Sequence, residues 1–345
     1  MAWMGRAIEA AEQVRGRTSP NPWVGAVVVT GPPGGHRSFP GATAPPGGPH
    51  AEVAALAAAG AAAAGATLYV TLEPCAHAGR TPPCTDAVIA AGIRRVVVGV
   101  EDPDPLVSGR GIAALRAAGV EVEVGVRADD VAAHLAPYLA HRRTGRPWVV
   151  LKLAATLDGR IAAPDGTSRW ITGGAARRDA HRLRSQSDAV IVGAGTVRAD
   201  DPALTVRLPP DDRWYRGPDD QPVRVVLGTV PPGAAVEPAL SLTGPLDRVL
   251  SELGERGHLQ VLVEGGARVA HGFHSAGLGD RYVLYLAPAL FGGDDARPLF
   301  AGPGAATMGD LWRGRVTSVT SLEGDLRVEL AARSSDLTWS SPENA

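Results

Sequence analysis

Short valine-rich runs alternate with alanine-rich stretches along most of this chain, and that alternation restricts the fold more than any single residue does. "VGAVVV" (24–29), "TLYVT" (67–71), "RRVVVGV" (94–100) and "VEVEVGV" (120–126) have the length and β-branched content of strands. Between them, "AEVAALAAAG", "TDAVIAAGI", "GIAALRAAG" and a stretch from about Ala128 to Arg143 have helical composition, and a first helix carries Ala2, Trp3, Ala7, Ile8 and Ala11 at helical spacing. The Gly/Pro-rich segment Gly31 to Pro49 reads as a loop. Strands alternating with helices predict a three-layer α/β domain.

The pattern breaks at "RRTGRP" (Arg142 to Pro147), a basic, turn-rich stretch, and then restarts. "WVVLKLAATLDG", "DAVIVGAG", "VRVVLG", "LQVLVEGG" and "RYVLYLAP" are the strands of a second α/β unit, with helices between several of them. The expected domains are 1–144 and 147–333, followed by a polar tail, 334–345. A chain of 345 residues, 45% apolar and 20% charged, is long enough for two cores. Thirty-four basic and 36 acidic residues leave a net charge of −2, which argues against a general nucleic-acid or anionic-membrane binder. No apolar run has the length of a membrane span. The first residues, with charges interspersed, do not read as a secretion signal, so a cytoplasmic location is expected.

Two cysteines, Cys75 and Cys84, are too few for a disulfide framework and point to metal or redox chemistry. His50 at the start of the alanine-rich helix adds a third donor. Catalytic zinc keeps three protein ligands and leaves one position open. Glu52, two residues past His50, projects in a different direction and can carry a proton from water to a leaving amine. His50 and Cys84 both fall at helix starts, where the helix dipole favours thiolate over thiol. Taken singly, such a histidine is a cap and such a cysteine a small buried residue. The combination His-Ala-Glu, then Glu-Pro-Cys, then a second cysteine matches the zinc deaminase pattern, with eight residues rather than two between the cysteines.

"TSPNPWVGAVVV", "GGPHAEVAAL", "TLYVTLEPCAHAGRTPPCTDAVIAAGI" and "VEDPDPLVSGRGIAALRAAG" resemble the deaminase domain of the bifunctional riboflavin biosynthesis deaminase/reductases, and the resemblance covers nearly the whole chain. It implies a cytidine-deaminase-like three-layer domain with one zinc per chain on His50, Cys75 and Cys84, and Glu52 as proton shuttle. It also implies that Asn21, His77 and Arg80 hold the substrate's ring and phosphate. One departure is clear. Thr43 stands seven residues before His50, where the family commonly has a histidine on a second strand.

In the second half, "LQVLVEGGARVAHGFHSAGLGD" is a strand, two glycines and a helix, a phosphate-accepting arrangement that lacks the Rossmann glycine fingerprint. "IVGAGTVRADDPALTVR" is a second turn, carrying Arg198, Arg207, Asp200 and Asp201. With "KLAATLDGRIA", "SRWITG" and "RLRSQSDAVIVGAGT", these stretches resemble the family's reductase domain, which implies a dihydrofolate-reductase-like α/β fold that uses NADPH. The resemblance places Ala154, Trp170, Thr196, Asp200 and Thr229 along the cofactor, with Gly266, Ala267, Arg268, Val269, Ala270, His271 and Gly272 in the turns facing it. It places Ser168, Arg184, Leu204, Arg207 and Glu264 at the substrate. Residues 229–258 are shorter than usual, which reduces an outer strand near "ALSLTG". Lys152, Asp200 and Glu264 are the candidate proton donors, in that order of reach.

The expected function is therefore deamination of a diaminopyrimidine ribosyl phosphate, then reduction of its ribosyl group to ribityl with NADPH. A phosphorylated pyrimidine is the partner molecule, and the resemblance implies a homo-oligomer. A second reading keeps the fold with a weakened deaminase and mainly reductase activity. A third makes the metal a structural clip in a nucleotide- or RNA-binding module, against which the neutral charge weighs.

Overall fold

In the computed structural model, residues 2–32, 35–79 and 81–332 are described, and the chain divides into two compact units, of which the first spans 1–145 and the second 146–334. The first unit contains α1 (Ala2–Glu12), β1 (Gly25–Thr30), β2 (Arg37–Ala42), α2 (Ala51–Ala59), β3 (Thr67–Leu72), α3 (Cys84–Ala90), β4 (Arg95–Val100), α4 (Arg110–Ala117), β5 (Glu121–Val124), α5 (Ala128–His134) and α6 (Ala136–Thr144). Its sheet has the order β2-β1-β3-β4-β5, with β1 antiparallel to both neighbours and β3, β4 and β5 parallel.

Two glycines show the layering. A Cβ on Gly25 would overlap the backbone of α1 at Ala7 and Ala11, and one on Gly41 would overlap α2 at Ala51 and Ala55. Gly25 pairs with Ala42 and Ala26 with Gly41, so the two glycines lie on opposite faces of the sheet. The helices therefore pack from both sides, the three-layer arrangement that the alternation predicts.

Two expectations need correction. Gly31 to Pro49 is not all loop, because β2 forms within it. Its sequence, Arg-Ser-Phe-Pro-Gly-Ala, reads poorly as a strand because Pro40 and Gly41 interrupt it. At a sheet edge Pro40 forfeits no ladder bond that a second neighbour would need. The stretch from Ala128 to Arg143 is two helices rather than one, since α5 ends at His134 and Pro137 opens the first turn of α6.

The second unit contains β6 (Trp148–Thr156), β7 (Arg160–Ala162), α7 (Gly174–Ser185), β8 (Ala189–Gly193), α8 (Ala194–Asp200), β9 (Val223–Leu227), β10 (Leu240–Leu242), α9 (Leu246–Glu255), β11 (Gln260–Val263), α10 (Ala267–Ser275), β12 (Arg281–Ala287), β13 (Arg297–Pro298), β14 (Gly314–Leu322) and β15 (Asp325–Ala332). Its eight-stranded sheet has the order β10-β9-β8-β11-β6-β12-β15-β14. It is parallel from β10 to β12, and β15 and β14 continue it antiparallel. Val149, Leu151 and Leu153 of β6 point into a core built with Leu250 and Leu253 of α9 and Phe273 of α10. Alternation turns Lys152 and Ala154 to the other face. The strand near "ALSLTG" is present as the three residues of β10.

The β14–β15 hairpin has no counterpart among the expected elements. Its signal is the run "VTSVTSL", two residues "EG", then "DLRVEL". Glu323 and Gly324 both take positive φ, as a tight two-residue hairpin loop requires.

Candidate active sites

In the first unit the loop after β3 and the starts of α2 and α3 bring His50, Cys75 and Cys84 together. Their ligand atoms lie within 4.8 Å of one another. His50 Nδ1 is 3.1 Å from Cys84 Sγ and 3.8 Å from Cys75 Sγ. The Cys84 N–H donates to Cys75 Sγ at 3.4 Å, so the start of α3 turns a backbone dipole on that sulfur. A hydrogen bond from the Cys84 thiol, opposed by burial and aided by the His50 ring, holds Cys75 down at about 4. The same pairing, together with burial, pushes Cys84 up. The two sulfurs thus share one proton. A divalent cation can displace that proton, and two soft sulfurs with one imidazole are a donor set suited to zinc.

Glu52 is 4% exposed and lines the same cavity. Burial, only partly offset by a backbone hydrogen bond, raises its pKa to about 7, so the carboxyl can take up or release a proton near neutrality. The cavity, about 170 Å³, is also lined by Asn21, His77 and Thr43. Arg80 lies outside the described residues. Thr43 is buried, its hydroxyl accepting the Val24 N–H at 3.1 Å.

Four further residues of this site were not singled out from the sequence. Thr81 Oγ1 lies 3.3 Å from His50 Nε2 and accepts from it when Nδ1 carries the lone pair. Glu73, in the same "EPC" that supplies Cys75, accepts the N–H groups of Gly109, Gly111, Ile112 and Asp102 and so ties α4 to the cysteine loop. Asp102 accepts the Tyr138 hydroxyl at 2.9 Å, and burial raises it to about 6. Acidic residues around prolines in "VEDPDP" are a signal for Asp102; nothing in the sequence marks Tyr138.

In the second unit, a cavity of about 730 Å³ runs between the turn after β8 and the start of α10. Thr196, Gly266, Ala267, Arg268 and Val269 line it. A neighbouring cavity of about 290 Å³ shares Thr196 and Gly266 and adds Ala154, Asp200, Ser168, Lys152 and Glu264. Trp170, 70% exposed, lines a third cavity with Ser168, its ring beneath the Arg177 guanidinium at 4.5 Å. The remaining expected cofactor residues lie elsewhere. Ala270 is buried in the core, His271 packs against Gly302, Gly272 faces Leu246, and Thr229 lines none of these cavities. Only the first turn of α10 faces the large cavity, because the second turn has rotated toward the core.

Arg184 of α7 and Glu264 at the end of β11 form a two-bonded ion pair, at 2.5 and 3.1 Å, and Lys152 Nζ lies 3.8 Å from the same carboxylate. Burial opposes ionisation of Glu264, but the Arg184 and Lys152 charges outweigh it and hold the pKa at about 2. Burial lowers Lys152. Arg184 also donates to the Thr205 carbonyl, in the segment that carries buried Leu204 and exposed Arg207. The Arg207 N–H donates to His181 Nδ1 at 3.2 Å. Burial and the two arginines push His181 down to about 4, which leaves it neutral at physiological pH.

Comparison with known proteins matches both units to one family. Residues 1–100 match the cytidine and deoxycytidylate deaminase zinc-binding region, and residues 147–327 match the RibD C-terminal domain. The riboflavin biosynthesis protein RibD of Mycobacterium tuberculosis (strain ATCC 25618 / H37Rv) is 44% identical over 343 residues, covering 96% of each chain. That of Escherichia coli (strain K12) is 40% identical, covering 89% of this chain and 92% of its own. Among solved structures, Acinetobacter baumannii RibD, form 1, superposes with a TM-score of 0.88 at 39% identity, over 96% of this chain and 98% of that one. The Thermotoga maritima diaminohydroxyphosphoribosylaminopyrimidine deaminase/5-amino-6-(5-phosphoribosylamino)uracil reductase gives 0.83 at 36% identity, with the same coverage.

Proposed function

The chain belongs to the family of bifunctional riboflavin biosynthesis deaminase/reductases, and on that premise we propose how its own residues divide the two reactions. In the first unit His50, Cys75 and Cys84 hold zinc, and Asn21, His77 and Arg80 hold the phosphorylated diaminopyrimidine. Zinc there supplies the Lewis acidity that brings water within reach of deprotonation near neutral pH. Glu52 takes a proton from the attacking water on a carboxylate oxygen, then delivers it to the departing amine, which leaves as ammonia. Its burial beside the three donors is the observation that carries this reading.

In the second unit the two adjoining cavities hold NADPH against the substrate's ribosyl group. Thr196, Asp200, Ala154 and the turn from Gly266 to Val269 line the cofactor's course, and Ser168 and Glu264, which line the smaller cavity, fix the substrate together with Arg184, Leu204 and Arg207, which lie outside that lining. NADPH supplies the hydride. Of the candidate proton donors, Glu264 is held ionised and cannot give a proton. Lys152 faces the same cavity, its Nζ 3.8 Å from the Glu264 carboxylate, and is the residue assigned to deliver the proton that opens the sugar ring. A cytoplasmic homo-oligomer completes the reading. No helix among the described residues is long and apolar enough to cross a membrane, and edge strand β14 exposes Val316 and Val319, a surface a second copy can cover. Sedimentation as a monomer would contradict the oligomer.

The reading favours an active deaminase over the weakened alternative, because β2 is present and Thr43 is held in the cavity wall. Ammonia release without NADPH tests this. Glu52→Gln is expected to lower it by about 10²- to 10⁴-fold with zinc content unchanged. Lys152→Met is expected to bind NADPH normally and lose reduction. Full turnover by either variant refutes the role given to that residue.

A further inference from the structure

Two acids on one loop of the first unit meet different surroundings. Asp102 and Asp104 follow β4, and both line the cavity that also holds His50, Glu52 and Cys75. Asp104 has a cation, since the Arg142 guanidinium of α6 lies 3.6 Å away. Asp102 is 4% exposed and has no ion-pair partner among the described residues. Its donors are the Asp104 N–H, 2.9 Å from Oδ1, and the Tyr138 hydroxyl, 2.9 Å from Oδ2 and 3.2 Å from Oδ1. A carboxylate has about four acceptor positions, so two donors leave part of it unused. Burying a carboxylate without a cation is unfavourable, and such groups gather where a ligand supplies the missing donors.

Resting on the reading that this cavity takes the phosphorylated diaminopyrimidine, we propose that Tyr138 is a positioning residue for deamination: its hydroxyl keeps Asp102 ionised and turned to the cavity, where the carboxylate accepts N–H groups that the substrate retains when one amine leaves. The helix α6 gives the metal no ligand, yet it carries both Tyr138 and Arg142 to the cavity wall. Arg142 engages Asp104 and leaves Asp102 to the hydroxyl. A neutral donor suits that place, because a guanidinium bonded to Asp102 would neutralise it and compete with the substrate's N–H groups. Burial pushes the Tyr138 pKa up, so its hydroxyl keeps its proton and donates. Burial also raises Asp102, to about 6, and the Asp104 N–H, the Tyr138 hydroxyl and the Arg142 charge pull it back, while the Asp104 charge adds to the rise. The other titratable groups around it are Glu73, which accepts the Asp102 N–H, and Glu52 and His77 in the cavity wall.

The test is ammonia release by the full-length, zinc-loaded protein from the phosphorylated diaminopyrimidine, without NADPH. Tyr138→Phe keeps the ring and removes only the hydroxyl. It should raise KM about tenfold to a hundredfold, with kcat changed less than about threefold and zinc content unaltered. In an Asp102→Asn background the same substitution should change KM less than about twofold, because the partner is already lost. Without the hydroxyl the Asp102 pKa rises, so the ratio of variant to wild-type KM should be largest near about pH 6 and shrink toward about pH 8. An unchanged KM in Tyr138→Phe would overturn the proposal, as would a ratio that is flat across that range. An equal rise in both backgrounds would also overturn it and assign Tyr138 to packing. If the wild type itself releases no ammonia, the deaminase reading of the cavity fails as well, an outcome distinct from a loss confined to the variants.

Discussion

Glu264 shows how one residue can be legible in the sequence and still change its role in the structure. A glutamate after a buried strand reads as a substrate contact or a proton donor. In the fold Arg184 and Lys152 keep it charged far below its ordinary pKa of 4.5. The pH dependence has a definite sign. A carboxyl whose folded pKa is depressed adds stability above the unfolded value, and that contribution disappears as pH falls from about 4.5 toward 2. Glu264→Gln is therefore expected to cost about 3 kcal/mol in urea unfolding at pH 7. The gap between variant and wild type should narrow at pH 3, and a gap independent of pH would rule out the ion-pair account. The motif residues His50, Glu52, Cys75 and Cys84 were readable because zinc chemistry admits few donor types. Thr81 and Tyr138 were not, since a lone hydroxyl gives no sign of its partner until the chain is folded.

At the scale of elements, the cysteine loop depends on a helix that contributes no ligand. Glu73 anchors the loop to the start of α4, and Gly111 of that helix leaves no room for a Cβ beside the Pro74 carbonyl. Gly111→Ala is expected to displace Pro74 and with it Cys75. Zinc affinity measured by chelator competition should fall about tenfold or more, with Cys84 untouched by sequence. Unaltered affinity would show that the loop holds its shape without α4. Element types were read well where a run was long and uninterrupted, as for β6, β8 and α2. They were misread where tertiary context overrides local propensity. Edge strand β2 tolerates Pro40, and the helix after Ala128 is cut by Pro137. The β14–β15 hairpin carries only a local signal, alternation on both sides of the "EG" turn.

At the scale of the whole molecule, the donors His50, Cys75 and Cys84 and the buried Glu52 lie within 1–145, and the cavity proposed for the cofactor lies within 146–334. Stripping the metal with a chelator should abolish ammonia release and leave the NADPH dissociation constant unchanged, which calorimetry on treated and untreated protein would read. Loss of both together would mean that the second unit depends on the metal. The sequence by itself determined the α/β class and the metal-binding donors His50, Cys75 and Cys84, because hydrophobic periodicity and donor chemistry are local properties. Only the tertiary structure decided which charges meet. Arg184 with Glu264 and Glu73 with the start of α4 join residues distant in the chain, and the energy of a charge depends on the neighbours that folding brings to it.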